Sequence, residues 1–348
     1  MFPDQLTCVV PTHNRPCFLR RLLRFYRQFP PSFSIQVIDS SVPSAALENL
    51  AVIDGVRGCL KIGYRHFDLN IVKKCAEGLE LVRSPFVVLC ADDDFLFPEA
   101  TLRCAEFLES EPSFSSAMGR SATLNVGFPS RRCKIRRGYS IHDNRPLDRC
   151  HKMAAHWFTN FYAVYRTEIL VNNFRLVAAN SDPTQSVHIS EMLLSQLSVL
   201  RGGIKVLPLM YSLSEVHDSN FGSERVLLEQ SQAELLFQRF KDCLLDQFVN
   251  AGIERKDGER LIDDSYSFYS KPGLAHRCRS LPGRLRDFAV EIVDRAADCL
   301  WTDMTRRRRY VRTSDIKGSE SIWHFATQLM REFPQGIPSD QVTLRDCA

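Results

Sequence analysis

The feature that most constrains the fold is an alternation of short apolar runs with amphipathic segments over the first hundred residues. The runs LTCVV (6–10), FSIQVI (33–38) and FVVLC (86–90) are rich in apolar residues, as is typical of strands covered on both faces. Between them, CFLRRLLRFYRQF (17–29) and NIVKKCAEGLELV (70–82) repeat apolar residues at helical spacing. The pattern predicts an α/β domain with a mainly parallel sheet flanked by helices.

Polar clusters follow these three apolar runs: Thr12–Asn14, Asp39–Ser41 and Asp92–Asp94. The carboxyl ends of parallel strands meet at one edge of the sheet, where α/β folds bind ligands. Three consecutive carboxylates need a cation, an arginine or full solvation to offset their repulsion. A divalent ion completed by a diphosphate meets that need, and a solvated acidic loop before the helix that begins at Pro98 is the alternative.

The pattern beyond residue 110 is less regular. FYAVYR (161–166) is strand-like and precedes a predicted helix at Thr167, while SRRCKIRRGYS (130–140) predicts a basic loop or an edge strand. The segment 181–200 predicts a helix and GGIKVLP (202–208) a loop that returns into a strand.

After about residue 222 the chain becomes rich in amphipathic segments. Residues 224–252, 283–301 and 321–333 each carry apolar residues at helical spacing. The last third of the chain is therefore expected to be a helical extension on the α/β domain.

Composition narrows the functional classes. The 348 residues are 44% hydrophobic and 25% charged, and the formal net charge of +4 gives no general electrostatic case for binding nucleic acid. No run approaches the ~18 apolar residues of a membrane span, and the N-terminus does not resemble a signal peptide. The twelve cysteines form no C-x-x-C pair. A reduced, cytoplasmic protein is the expectation.

Four segments in order carry a resemblance to a known family: VVPTHNRPCFLRRLL (9–23), VIDSS (37–41), DLNIVKKCAEGLELVRSPFVVLCADDD (68–94), and a proline four residues after Asp94. With them, residues 5 to about 215 resemble GT-A-fold glycosyltransferases close to family 2, and more narrowly a bacterial subgroup of predicted glycosyltransferase domains.

The resemblance implies a GT-A domain over 1–221, with a nucleotide-sugar-binding half (1–110) and an acceptor half (111–221), followed by the extension 222–348. It further implies transfer from a nucleotide sugar, with a UDP-sugar favoured, to a carbohydrate, lipid-linked or protein acceptor in polysaccharide biosynthesis. The implied cofactor is Mn²⁺ or Mg²⁺.

The resemblance also assigns the acidic residues. The family's Asp-x-Asp motif would place its first Asp at Ala91 and its second at Asp93, so Asp93 is the first metal ligand expected. Asp94 is expected to orient metal-bound water or to cap the following helix. His217 is the position of a late histidine near the metal, and a structural histidine is the alternative.

The nucleotide sugar is expected to contact residues from each polar cluster. Asp39 would accept a hydrogen bond from the base or would serve as a turn aspartate, and Arg15 would contact phosphate or pair with an acid. Lys74 is expected to be solvated. The full predicted set is Pro11, Thr12, Asn14, Arg15, Asp39, Asn70, Lys73 and Asp92.

An inverting transfer needs a base that accepts the proton of the acceptor hydroxyl. The resemblance places this carboxylate at a helix start, which predicts Glu191, with Asp182 as the fallback; a first-turn glutamate that only stabilises the helix is the alternative. Trp157 and Tyr162 would stack on an acceptor sugar or pack in the core.

Other functions remain open at this level. A non-catalytic nucleotide- or sugar-binding relative is the main alternative, with Ala91 as the mark of a degraded site. A nucleotidyltransferase is disfavoured, because PTHNRP (11–16) contains no glycine. The arginine run within residues 306–312 predicts peripheral contact with anionic lipid, or simply an exposed helix face.

Overall fold

The structure is a computed structural model that describes residues 5–125, 133–136, 138–180, 187–217, 230–267, 311, 315–334 and 336–337. Its N-terminal half alternates strands with helices, as the sequence predicts. The strands are β1 (Leu6–Thr12), β2 (Ser34–Asp39), β3 (Ile62–His66) and β4 (Phe86–Leu89), and the helices are α1 (Pro16–Gln28), α2 (Pro43–Asp54) and α3 (Ile71–Glu80). These strands are parallel in the order β3-β2-β1-β4, with β1 and β4 buried at the centre of the sheet.

The sheet continues into the second half of the domain. The elements there are β5 (Phe95–Leu96), α4 (Pro98–Ser110), β6 (Phe114–Asn125), β7 (Cys133–Ile135), α5 (Pro146–Ala155), β8 (Val164–Arg166), α6 (Thr167–Asn180), α7 (Val187–Arg201) and β9 (Gly203–Val216). The strand order runs on as β4-β8-β6-β9-β5, and β7 pairs with β6. Strand β8 is antiparallel to both of its neighbours, whereas β9 is parallel to β6. The α/β fold is confirmed, and its second half is mixed in strand direction.

Local sequence explains how the helices lie on this sheet. Helix α1 begins with Pro16 and buries one face against the sheet. This face includes Leu19, Leu22 and Leu23. A proline in the first turn costs no helical hydrogen bond. Helix α3 approaches β2 closely at Gly78, where an added Cβ would lie 2.8 Å from Ile38 Cγ2. The glycine therefore permits the helix to sit at this distance from the strand.

The described part of the C-terminal region is helical. It contains α8 (Gln230–Asn250), α9 (Arg255–Tyr266) and α10 (Glu320–Glu332). Helix α8 contacts α6 and α7, whereas α10 contacts α1 and β9. The predicted helices within 224–252 and 321–333 are present, and the predicted helix 283–301 lies outside the described residues, as does the arginine run.

Within the described ranges, none of the helices is long and apolar enough to cross a membrane.

Candidate functional site

A cavity of about 730 Å³ opens where the polar clusters end the central strands. Thr12 and the turn Asp92–Asp94 line it from the N-terminal half. Glu191 from α7 and His217, directly after β9, line it from the second half. The fold therefore brings together residues, such as Thr12 and His217, that lie more than two hundred positions apart in sequence.

The acidic turn is buried, so the solvated-loop alternative is wrong. Asp92, Asp93 and Asp94 are only 2%, 4% and 6% exposed. Asp92 Oδ2 accepts a hydrogen bond from Thr12 Oγ1 at 2.7 Å. Buried carboxylates must be hydrogen-bonded or paired, because an isolated one is costly to desolvate.

Asp93 and Asp94 have different partners. Asp93 Oδ2 accepts a hydrogen bond from Arg15, and His217 Nε2 lies 3.1 Å from the same oxygen. Asp94 Oδ1 accepts the backbone N–H of Glu215 at 2.8 Å, and its carboxyl also hydrogen-bonds Tyr162. Asp94 therefore joins the turn after β4 to the end of β9, and these contacts are not those of a helix cap.

These surroundings separate the pKa values of the three carboxyls. Burial raises the pKa of Asp92 and that of Asp94 to about 6. Burial would raise the pKa of Asp93 too, but the hydrogen bond with His217 and the charge of Arg15 lower it to about 2. Asp93 is thus the carboxyl of this turn that is held most firmly in its anionic form.

Arg15 forms ion pairs within the site, which is one of the two roles that its sequence position allowed. It hydrogen-bonds Asp93, and its Nη2 atom lies 3.3 Å from Asp92 Oδ1. Its guanidinium lies 4.4 Å from the centre of the Phe18 ring, which also stacks on His217 at 4.9 Å. Burial would lower the pKa of Arg15, but the carboxylates raise it further above its usual value.

Asp93 and His217 are the pair that could hold a divalent cation. His217 Nε2 and Asp93 Oδ2 lie 3.1 Å apart, and a carboxylate and an imidazole this close could both reach one ion. Among the described residues, no group of three or more His, Cys, Asp or Glu side chains is arranged to hold a metal. The pair therefore fits an ion that takes its other ligands from a diphosphate and water.

Asp39 is completely buried and does not line the cavity. Ser41 N donates to its Oδ1, while Asn49 Nδ2 and the hydroxyl of Tyr64 donate to its Oδ2. Burial opposes ionisation, but these hydrogen bonds prevail and lower the pKa of Asp39. Contact of Asp39 with a nucleobase stays a prediction, and in this structure the carboxylate organises the loop after β2.

Helix α3 contributes a lysine other than the predicted one. Asn70 lines the cavity and caps α3 by accepting the backbone N–H of Lys73, but the Lys73 side chain is exposed and does not line the cavity. Lys74 does line it, is completely buried, and donates to Thr12 O at 2.6 Å and to Ser40 Oγ at 2.8 Å. The prediction that Lys74 is solvated is wrong.

The remaining residues of the predicted nucleotide set are divided. Pro11 lines the cavity beside Thr12, whereas Asn14 is exposed and does not. Asn14 adopts a positive φ of 54° and accepts the backbone N–H of Val42, so it links the loops that follow β1 and β2.

Glu191 lies in the first half of α7 and faces the cavity. Burial raises the pKa of its carboxyl from 4.5 to about 7, and the charge of Arg136, which also lines the cavity, opposes this rise. A carboxylate with a pKa near neutrality is suited to general base catalysis. The fallback Asp182 lies outside the described residues.

The two aromatic candidates for an acceptor wall have different positions. Tyr162 lines the cavity next to Asp94, whereas Trp157 does not line it and donates through Nε1 to Ser195 Oγ. Arg136 was not singled out by the sequence, although it belongs to the basic segment 130–140.

Comparison with known proteins agrees with this fold. Residues 7–174 match the family described as Glycosyl transferase family 2. The fold is similar to that of S. aureus TarS 1-349 in complex with UDP-GlcNAc, with 16% identity, coverage of 83% of this chain and 80% of that chain, and a TM-score of 0.57. It is similar to the same protein in complex with UDP, with 14% identity, coverage of 95% and 91%, and a TM-score of 0.53. No curated protein matches the chain in sequence.

Proposed function

We propose that the chain, whose residues 7–174 match Glycosyl transferase family 2 and whose fold is similar to that of TarS, is a glycosyltransferase that transfers a sugar, with inversion, from a nucleoside diphosphate to an acceptor hydroxyl. Glu191 acts as the base in this proposal. The observation that carries it is that Glu191, with its pKa near 7, faces the same cavity as the buried acidic turn. One cavity thus holds a group that can accept a proton and a group of residues that can hold a charged leaving group.

The donor binds on the side of the N-terminal strands. Pro11 and Thr12 form the wall for the base, and Lys74 and Arg15 supply positive charge beside the acidic turn. A bound diphosphate would accept some of the hydrogen bonds that Arg15 now donates to Asp93, since phosphate and carboxylate oxygens are equivalent partners for arginine.

Asp93 and His217 would hold Mn²⁺ or Mg²⁺ together with the diphosphate. When bound, the ion supplies Lewis-acid stabilisation of the negative charge on the leaving group. Asp92 is bonded to Thr12 and lies beside this pair, while Asp94 holds the end of β9 through the backbone of Glu215. Of the three, Asp93 is therefore the ligand and its neighbours keep the turn in place.

Transfer follows a single displacement in this proposal. The acceptor oxygen attacks the anomeric carbon as the bond between that carbon and the diphosphate oxygen breaks. The hydroxyl proton passes to the carboxylate of Glu191, and the electron pair of the broken bond remains on the nucleoside diphosphate. Because its pKa is about 7, Glu191 can be ionised before the step and protonated after it.

The donor and acceptor classes are also part of the proposal. A UDP-sugar is favoured because the TarS structures with the same fold hold UDP-GlcNAc and UDP. The acceptor is a carbohydrate, lipid-linked or protein hydroxyl, and Tyr162 gives the acceptor half an aromatic wall for a sugar ring.

The test begins with a thermal-shift screen of UDP-, GDP-, dTDP- and CMP-sugars with Mn²⁺, followed by an assay of metal-dependent hydrolysis of the donor that binds. Asp93→Asn should abolish hydrolysis, whereas the matched variant Asp54→Asn changes an exposed carboxylate at the end of α2 and should keep it. Wild-type activity that is indifferent to Mn²⁺, Mg²⁺ and Asp93 would contradict the metal-dependent mechanism.

A nucleotide-binding protein without transferase activity is the second candidate. It is favoured by Ala91, which occupies the first acidic position of the family motif, and by the pairing of Arg15 with both Asp92 and Asp93. Nucleotide binding in the absence of any hydrolysis or transfer would support it over the enzyme.

A further inference from the structure

Helix α1 carries a second arginine at the site, and this one is completely buried. Arg21 donates through Nη2 to the backbone carbonyl of Asp93 at 2.7 Å. It also forms an ion pair with the buried carboxylate of Glu215. One guanidinium therefore contacts the acidic turn after β4 and the end of β9, which are the two segments that carry Asp93 and His217.

The third contact of this guanidinium comes from the C-terminal end of the described chain. Arg21 Nη1 donates to the carbonyl of Phe333 at 2.7 Å, directly after α10. The neighbouring Arg20 donates to the carbonyl of Ile337 at 2.5 Å, and the backbone N–H of Ile337 donates to Cys17 O at 2.9 Å. Phe333 and Ile337 are thus both attached to the first turns of α1.

Gly336 makes this attachment possible. Its φ is +79°, and an added Cβ would lie 2.3 Å from the carbonyl carbon of Cys17 and 2.5 Å from the backbone nitrogen of Phe18. Both neighbours are backbone atoms and cannot move aside as a flexible side chain would. The ring of Phe18 stacks on His217, so this contact lies one residue from the cavity wall.

We propose that Arg21 is a positioning residue of the donor site and that the carbonyl of Phe333, with Gly336 and Ile337 packed beside α1, holds it in place. The inference rests on the proposed function, since it assumes that Asp93 and His217 receive the nucleotide diphosphate. Arg21 fixes the peptide of Asp93 relative to Glu215, and therefore the separation of Asp93 and His217. The carbonyl of Phe333 fixes the guanidinium, because a buried N–H donor without an acceptor is strongly disfavoured.

A lysine cannot replace this arginine, because an ammonium group does not present the planar fork that reaches three separate acceptors. Arg21→Lys should therefore keep the positive charge but lose the simultaneous contacts with Asp93, Glu215 and Phe333. We expect it to raise the Kd for UDP by at least ~10-fold, which is typical when a group that orients ligand-binding residues is changed. Gly336→Ala should act in the same direction, because it displaces the segment that carries the carbonyl of Phe333.

Two matched controls separate positioning from general stability. Gly318→Ala introduces the same strained backbone, at φ +81°, but its Cβ meets nothing within 4 Å. Arg149→Lys changes another buried arginine that donates to backbone carbonyls, those of Val199 and Leu200, and does not line the cavity. Both should lower the melting temperature without changing the Kd for UDP.

The experiment is calorimetry of UDP binding to the full chain, with the melting temperature measured for every variant. The proposal predicts a raised Kd in Arg21→Lys and in Gly336→Ala, and an unchanged Kd in both controls. It also predicts that the Kd of the double variant does not exceed that of the weaker-binding single variant. Wild-type Kd in Arg21→Lys, or independent effects in the double variant, would overturn it. A wild-type chain that binds neither UDP nor another nucleotide would instead refute the proposed function.

Discussion

Replacing Glu191 with glutamine should abolish transfer and at the same time stabilise the protein above neutral pH. Burial raises the pKa of this carboxyl from 4.5 to about 7. A shift of one unit corresponds to about 1.4 kcal/mol, so ionised Glu191 lowers the free energy of unfolding by up to about 3 kcal/mol. Glutamine resembles the protonated acid in shape but never ionises, so Glu191→Gln avoids that loss.

The sign of the pH dependence follows from proton uptake. Between pH 4.5 and 7 folded Glu191 binds more protons than unfolded Glu191, so its contribution to stability decreases as pH rises through this window. Glu191→Gln should remove this decrease, which urea unfolding at several pH values measures. The transfer rate of the wild type should rise with pH through about 7, and loss of a general base should lower kcat by about 10²–10⁴-fold.

The control is Glu168→Gln, which makes the same chemical change at an exposed position in the first turn of α6. This variant should keep wild-type transfer, and both variants should bind UDP with the wild-type Kd. A Glu191→Gln variant that retains transfer would remove Glu191 from the role of base. If Glu191→Gln unfolds with the pH dependence of the wild type, the carboxyl of Glu191 is not desolvated.

Three further changes test the surroundings of the site. Lys74→Met should lower the free energy of unfolding by about 1–3 kcal/mol and weaken UDP binding in calorimetry, because the buried carbonyl of Thr12 and the half-buried hydroxyl of Ser40 lose their donor, whereas Lys73→Met should do neither. Gly78→Ala should lower the free energy of unfolding in urea by about 1–3 kcal/mol, because the added Cβ would lie 2.8 Å from Ile38 Cγ2 in β2. Gly55→Ala should not, because its nearest neighbour, Val52 O, would lie 3.5 Å from the added Cβ. Asp39→Asn should destabilise at pH 7, and the difference should shrink as pH falls below 3.8, because the folded protein lowers the pKa of Asp39.

The elements with strong local patterns could be predicted from the sequence. Strands β1, β2 and β4 could be predicted from their apolar runs, and helices α1 and α3 from the helical spacing of their apolar residues. Strand β6 was not predicted, because FSSAMGRSATLN (114–125) is rich in small polar residues. Its pairing with β8 and β9 in the sheet gives this segment its structure, and such pairing depends on distant parts of the chain.

Lys74 shows where the prediction of the site failed although a signal was present. It lies three residues after Ile71 and one before Cys75, which places it on the apolar side of α3. A charged residue on the inner face of a helix indicates a buried partner. The sequence does not say that this partner is the carbonyl of Thr12, sixty-two residues away, and a backbone carbonyl leaves no mark in a sequence.

The sequence by itself determined which residue types stand at the ends of the central strands, because hydrophobic periodicity is a local property. It thereby placed Thr12 and the acidic turn among the candidate site residues, whereas Glu191 was predicted from the resemblance to the glycosyltransferase family. Only the tertiary structure decided that Arg15 and His217 meet at Asp93, that Asp39 faces the protein interior, and that Arg21 joins the C-terminal segment to the site. These outcomes depend on burial and on hydrogen bonds across long separations, which arise when the sheet and its helices assemble.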